Sequence, residues 1–407
     1  MTRKTMFNYG IKLLAAMVVT GSVTTQATVH RVFEGESIQA TIDVAAPGDT
    51  ILVEPGEYVE SASSRYGLRI TTNNLRLIGK ARNSHGHPGK VRLIFNDADD
   101  SMQETGVYAA PAGCEYDESL EECDEELHGF YIRGFSVEGF PVNGIQTRWV
   151  NDFKFVRNES VNNLNNGIYP TLSANGLVRN NVSYGSLDTA MWVAGSENVR
   201  VIGNDLSQST IGFEITVSND VLVKNNDIYN NTLGIGLFHP NAAGNGPLPV
   251  MENWVVKQNW VYNNNLPNPA SPSTFQGALP SGGGILLLGI SNHVIKKNKI
   301  DDNNFFGIGV LGWCTANSFD PNRNCEVRPP IADPSANNNR IVRNTLNNNG
   351  TNPPADFPLA PLASDVIYLQ TPPFEPGTGN CFKNNRPHEA FTFFSSEPDG
   401  ELPTDGC

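Results

Sequence analysis

From about residue 129 the chain alternates apolar and polar residues in short runs, as in Val221-Leu222-Val223 followed by Asp227-Ile228-Tyr229. No stretch of a repeat is long enough for a stable helix, so each unit is read as several short strands joined by turns. A small residue followed by an apolar one recurs at Gly144-Ile145, Gly167-Ile168, Ala190-Met191, Gly212-Phe213, Gly234-Ile235, Gly284-Ile285 and Gly307-Ile308, with uninterrupted spacings of 22 or 23 residues. A second marker, Asn followed two residues later by an apolar side chain, recurs at Asn180, Asn204, Asn226, Asn259, Asn298 and Asn344, with Asn158 nearly in phase. Two markers sharing one period predict an all-β solenoid, a right-handed parallel β-helix with one coil per repeat. Asn tolerates the left-handed turn region, and stacked Asn amides bond from coil to coil. A leucine-rich repeat has a similar period, but its leucine scaffold is missing here.

Strand periodicity sorts the recurring strand into faces. Ile145, Ile168, Met191, Phe213 and Ile235 point inward; Gln146, Tyr169, Trp192, Glu214 and Gly236 point outward. Two residues on, the outward column reads Arg148, Thr171, Ala194, Thr216 and Phe238. Upstream, Ser37 is placed as the N-cap of a short amphipathic helix that ends before Pro47-Gly48, and this helix is the expected cover for the open end of the solenoid.

Insertions interrupt the period at about residues 97–127, 240–252, 266–283 and 314–337. Those after Gly234–Phe238, Gly307–Trp313 and Val366–Gln370 leave at one phase and so should emerge from one edge of one sheet, whereas the Pro-rich 266–283 emerges elsewhere. Such loops either wall a groove or protect the coils. Residues 97–127 hold 12 Asp or Glu and no Lys or Arg; a Ca²⁺ site using Asp97, Asp99 and Asp100 and a solvated acidic excursion both fit.

Arg3, Lys4 and Lys12 precede the apolar Leu13–Val23 and then Thr25-Gln26-Ala27, which reads as a signal peptide over residues 1–27 and places the chain in the periplasm or outside the cell. The apolar run is short of the roughly 20 residues of a membrane span, and no later segment supplies a transmembrane anchor. Residues 28–407 then form a single domain. Six cysteines fall in close pairs, Cys114 with Cys123, Cys314 with Cys325, and Cys381 with Cys407. Local disulfides are expected; zinc is the competing reading, without tight C-x-x-C spacing to support it. A formal net charge of −14 argues against nucleic acid and lowers the expectation of a polyanion, unless a local basic patch or bound Ca²⁺ overrides the global field. Oligomeric state is not legible.

For chemistry, the stripe Tyr169, Trp192 and Glu214, with strands about 4.8 Å apart, suits a sugar, apolar ring faces stacking and polar edges pairing. A purely structural aromatic ladder fits the same pattern. Asp188 lies two residues before its repeat origin and Glu214 two after its own, which by strand geometry separates their backbones by roughly 14 Å and disfavours a two-carboxylate hydrolase. A uronate lyase or epimerase needs a base and a cation; Arg148 stands three coils from Glu214, and His239, one coil on, is the candidate base. His85-Gly86-His87-Pro88 reads as a turn rather than a metal pair.

Gly167-Ile168-Tyr169-Pro170, Gly185 through Val193 and Gly212-Phe213-Glu214-Ile215 resemble an exported family of tandem parallel β-helix repeat proteins in the pectin-lyase-like superfamily. That family shows a Gly-Tyr-Pro-like coil, then Ser-Asp-Ala-Gly-Ile-Tyr-Val, then Gly-Ile-Glu-Ile. Asp188 and Glu214 keep the expected types, while Leu187, Ala190 and Trp192 depart from them. The resemblance implies the fold and adds weight to Asp188 and Glu214; joined to the strand-phase reading, it leaves Asp188, Glu214 and His239 as catalytic candidates, Tyr169, Trp192, Arg148 and Gln146 as binding candidates, and a polysaccharide or other glycan as the expected partner. It is compatible with a lyase or epimerase acting on uronate-containing glycans, with a noncatalytic glycan- or partner-binding envelope protein, and with an accessory protein for metalloenzyme maturation.

Overall fold

The computed structural model describes residues 26–81, 89–114, 123–239, 251–318, 325, 333–370, 377–386 and 391–407. The expected signal segment up to residue 25 and the 85–88 turn lie outside them, as do most of the 240–252 insertion and much of 314–337. Three sheets hold the described strands: a first of 12 strands from Val29–Val32 to Cys381–Lys383, a second of 11 from Tyr66–Ile70 to Phe393–Ser395, and a third of ten from Gly56–Tyr58 to Thr345–Asn347. One coil passes through all three, as Asn166–Thr171, Ala174–Arg179 and Val182–Tyr184 do before Thr189–Ala194 opens the next coil. Strands of successive coils pair in parallel and in register, Asn166 over Asn143 and Thr189 over Asn166. The chain is therefore a right-handed parallel β-helix, with no helix in each repeat of the kind a leucine-rich fold requires. No helix among the described residues is long and apolar enough to cross a membrane.

The two sequence markers have separate physical causes. A Cβ at Gly144, Gly167 or Gly284 would sit 2.5, 2.5 or 2.3 Å from the carbonyl oxygen of the next coil, so the strand stacks this closely only over a small residue. The Asn marker is a hydrogen-bonded ladder at the corner between the first and third sheets: the Asn158 peptide N–H donates to Asn181 Oδ1, Asn181 to Asn204 and Asn204 to Asn226, each at 2.8–2.9 Å. Asn158 is thus a full member. In its coil Asn181, not Asn180, carries the ladder; Asn180 takes the left-handed φ of 54° that turns the corner. A Ser and His/Asn series at the corner leading into the first sheet repeats the device, from Ser173 to Ser196 to Ser218 and, further on, His293 to Asn339 to Asn380. These ladders satisfy corner peptide groups that would otherwise be buried without partners.

Ile145, Ile168, Met191, Phe213 and Ile235 are fully buried inside the coil, as their phase requires. At the N-terminal end the helix Ile38–Asp43 is capped by Ser37, whose hydroxyl accepts from the Ala40 N–H, and buries Ile38 and Ile42 in the same core. The three disulfides close Cys114–Cys123, Cys314–Cys325 and Cys381–Cys407.

The insertions at 240–252 and 314–337 and the segment after Leu369 all leave the second sheet on its way to the first, from one edge as expected; 266–283 enters the second sheet from the opposite edge. A short helix, Trp313–Asn317, opens the 314–337 insertion. The 266–283 insertion, the helix Trp313–Asn317 and residues 357–363, a segment the sequence reading did not single out, make the outer face of the second sheet, in its C-terminal half, a second apolar core instead of a solvated wall. Leu286, Leu288, Phe306, Leu311 and Ile367 are buried there beneath Leu279, Trp313 and Leu359. A cavity of about 80 Å³ remains beside Phe306. Phe306→Ala enlarges that cavity, and equilibrium urea unfolding should show a loss of about 3 kcal/mol; a loss under 1 kcal/mol would mean the loops are only loosely docked.

Candidate functional site

The outward column of the second sheet remains polar and aromatic only where the apolar layer has not begun. Gln146 pairs with Tyr169 and Trp192 with Glu214 in register, so the stripe is continuous across four coils. The Tyr169 and Trp192 rings stack at 4.7 Å and 15°. Both are half-buried, and the Trp192 indole N–H donates to Thr216 Oγ1 at 3.0 Å, which fixes the ring's tilt.

Asp188 and Glu214 are brought together, contrary to the separation expected from strand geometry. Thr189 Oγ1 lies 3.1 Å from Asp188 Oδ1 and 2.9 Å from Glu214 Oε2, which puts those two carboxyl oxygens at most about 6 Å apart. The expectation failed because it assumed strict alternation along a straight strand. Ala190 and Met191 both enter the core, so Thr189 turns outward beside Glu214 and the chain bends back at Asp188. Long side chains then close the remaining gap.

Burial sets the protonation of the pair. Asp188 is pushed up to about 6 by loss of solvent, opposed by hydrogen bonds from Thr189 and Gln276. Glu214 is fully enclosed and is driven well above the carboxylate range by burial first and by the Asp188 charge second. A single hydroxyl proton cannot serve two carboxylates at once. The arrangement is satisfied when protonated Glu214 donates to Thr189, which donates to ionised Asp188.

The same shifts affect stability. Asp188 has a folded-state pKa raised above its unfolded value of 3.8, so the folded state is penalised as pH rises through about 4 to 6 and carries the full cost above that window. At 1.36 kcal/mol per pKa unit, this is up to about 3 kcal/mol, with Glu214 adding to it in the same direction. Asp188→Asn should therefore unfold at higher urea than the unaltered protein at pH 8 and gain little at pH 4. Equal effects at both pH values would show that Asp188 is not buried as a charge.

The other candidates are placed elsewhere. Arg148 is buried in its own coil with its guanidinium 4.3 Å over the Trp149 ring, three coils from Glu214, and does not supply a cation to the pair. Gln146 is also buried; its Oε1 accepts from Asn143 Nδ2 at 2.9 Å. His239 follows the end of the strand Leu233–Phe238, at the sheet edge opposite Asp188, with its ring 6.2 Å from Trp313. Burial lowers its pKa and favours the neutral ring. Among the described residues no group of three or more His, Cys, Asp or Glu gathers as metal ligands, at Asp97, Asp99 and Asp100 or elsewhere.

Two members of the site escaped sequence reasoning. Thr189 was legible as a hydroxyl next to Asp188, but its phase pointed inward. Gln276 lies in the Pro-rich 266–283 insertion, in the short 3₁₀ turn Gln276–Ala278, and carried no local signal; only docking of that insertion on the sheet brings it to Asp188.

The family described as a right handed beta helix region matches residues 143–324. No curated protein matches the chain. Among solved structures, the chain is similar to the A-module of the Azotobacter vinelandii mannuronan C-5 epimerase AlgE6, at 18% identity and a TM-score of 0.58 over 86% of this chain and 81% of that one. It is similar to the AlgE4 A-module of the same organism, at 14% identity and a TM-score of 0.51 over 88% and 98%. A mutant DFA-IIIase from Arthrobacter chlorophenolicus A6, in complex with DFA-III, aligns at 12% identity and a TM-score of 0.51 over 85% and 76%. At these identities the shared property is the parallel β-helix fold.

Proposed function

We propose that this chain is an exported carbohydrate-active protein that holds a glycan against Tyr169 and Trp192 and acts on it with the carboxyl pair Asp188 and Glu214. The observation that carries this reading is the single Thr189 hydroxyl within hydrogen-bond reach of both carboxyl groups. A protonated acid and an ionised carboxylate about 6 Å or less apart match the requirement for cleaving a glycosidic bond with retention, where the two groups stand about 5–5.5 Å apart. Glu214 then protonates the leaving oxygen and Asp188 attacks the anomeric carbon or stabilises the charge there. Gln276 caps Asp188, so a sugar entering the site takes the place of that hydrogen bond. Three disulfides support an oxidising, exported setting.

A second reading, elimination or epimerisation at a uronate, is favoured by the neutral state of Glu214. A protonated carboxyl group beside the uronate carboxylate stabilises its anion without Arg148. The likeness to mannuronan C-5 epimerases gives this reading weight.

Incubating the purified chain with a panel of neutral and uronate glycans, while following both new reducing ends and ultraviolet absorbance of unsaturated sugars, distinguishes the two. Reducing ends without absorbance support the first reading, and absorbance or an altered uronate configuration supports the second. Binding without product would leave the stripe as a noncatalytic glycan site, and failure to bind any glycan would end both.

A further inference from the structure

The outer face of the first sheet carries a pattern that the carboxyl site does not use. Each of its central strands presents two outward residues, and the register aligns them in two columns. In five successive coils those pairs are Arg76 with Ile78, Tyr131 with Arg133, Lys154 with Val156, Leu177 with Arg179, and Arg200 with Ile202. The next five read Leu222 with Lys224, Val255 with Lys257, Val294 with Lys296, Arg340 with Val342, and Cys381 with Lys383. Each of these ten strands thus contributes one cation, nearly always beside an apolar or aromatic residue; at the N-terminal end the columns continue through Thr50 and Leu52 to Val29 and Arg31, and neither column contains a carboxylate. Lys154, with Asp152 at 2.9 Å, is the one cation of these ten in an ion pair among the described residues. Toward the C-terminal end the face deepens into a cleft of about 370 Å³ lined by Lys296, Lys297, Arg340, Arg343 and Lys383.

A role in solubility alone would be met by either sign of charge. In a chain with 42 acidic and 28 basic side chains, two adjoining columns with ten cations and no acid represent a choice of sign, although Asp152 and Glu197 lie on the same sheet outside them. We infer that the outer face of the first sheet is a docking track for a linear polyuronate, an anionic polysaccharide with one carboxylate per sugar. The cations follow the coil repeat of about 4.8 Å over roughly 43 Å, and a pyranose ring is about as long as one coil is thick. The interleaved Leu177, Leu222, Val255 and Val294 offer apolar contact to sugar C–H faces. Phosphates of a duplex come every 3.4 Å along a strand, out of step with the coils. Of the large exposed hydrophobic side chains among the described residues, Val29 alone lies on this face, on its N-terminal edge strand, and insertion into a lipid surface would need a cluster of them. The net charge of −14 does not prevent docking, because at physiological salt a field is screened beyond about 8 Å and the bound polymer meets only the cations beneath it.

The track is independent of Asp188 and Glu214, and its test reads binding rather than turnover. The full chain, titrated with polygalacturonate by calorimetry, should bind, and the affinity should fall steeply as salt is raised. The triple variant Lys224→Gln, Lys257→Gln, Lys296→Gln should weaken binding at least tenfold, with an unchanged circular dichroism spectrum. A control removing three cations outside the two columns, Lys90→Gln, Arg92→Gln, Lys299→Gln, should stay within twofold. Dextran sulfate, neutral dextran, oligo(dT) and phosphatidylglycerol vesicles serve as competing ligands. No binding, equal loss in both triple variants, or equal or tighter binding of any competing ligand would overturn the inference.

Discussion

Glu214→Gln is expected to lower turnover of a glycan substrate by about 10²- to 10⁴-fold while leaving the fold and glycan binding largely intact. The amide is nearly isosteric and its N–H can still donate to the Thr189 hydroxyl, which stands 2.9 Å from Glu214 Oε2, so the loss reports the missing acidic proton and not a rearranged site. The pH profile gives an independent check. With the acid on Glu214 and the base on Asp188, activity should rise as Asp188 ionises near pH 6 and fall where Glu214 loses its proton, and the high-pH limb should vanish from the residual activity of the variant. Unchanged turnover would remove Glu214 from the reaction and shift attention to the binding-only reading.

The largest stability effect is expected one corner away. Asn226→Ala removes four side-chain hydrogen bonds: two donated to Asn226 Oδ1 by the Asn204 peptide and amide, and two from Asn226 Nδ2 to Val201 O and Asn259 Oδ1. All lie in the buried ladder, where each orphaned group costs about 1–3 kcal/mol, so the variant should lose about 3 kcal/mol or more in urea unfolding. Its neighbour separates the ladder from the turn. Asn225 is exposed and holds a φ of 55°, a conformation that glycine adopts freely. Asn225→Gly should therefore change stability by under 1 kcal/mol. Comparable losses at both positions would mean that the turn conformation, not the ladder, stabilises the corner.

Much of this was legible because a solenoid writes local rules repeatedly. The period, the inward column through Met191 and Phe213 and the N-terminal helix capped by Ser37 all follow from residues close in sequence. So do the outward pairing of Trp192 with Glu214 and the local cysteine pairs. The carboxyl pair was not legible as a pair. A ruler of about 3.3 Å per residue holds along a regular strand, and the strand is irregular where Ala190 and Met191 both turn inward. Residues 23 or more apart in sequence meet there, and Gln276 arrives on an insertion whose landing place has no periodic signal.

The basic track shows the same division. Arg179, Arg200 and Lys224 carry no mark in the sequence that sets them apart from other surface cations, and their columns appear only once the register stacks one coil on the next. By itself the sequence determined the repeat, the sense of each side chain within a regular strand and the turn chemistry, since these depend on backbone geometry over a few residues. Tertiary structure alone decided the approach of Asp188 to Glu214, the burial that raises their pKa values, the apolar layer over the second sheet and the sign-sorted face of the first. Proximity and dielectric are properties of packed neighbours, and a packed neighbour here is a coil or an insertion away.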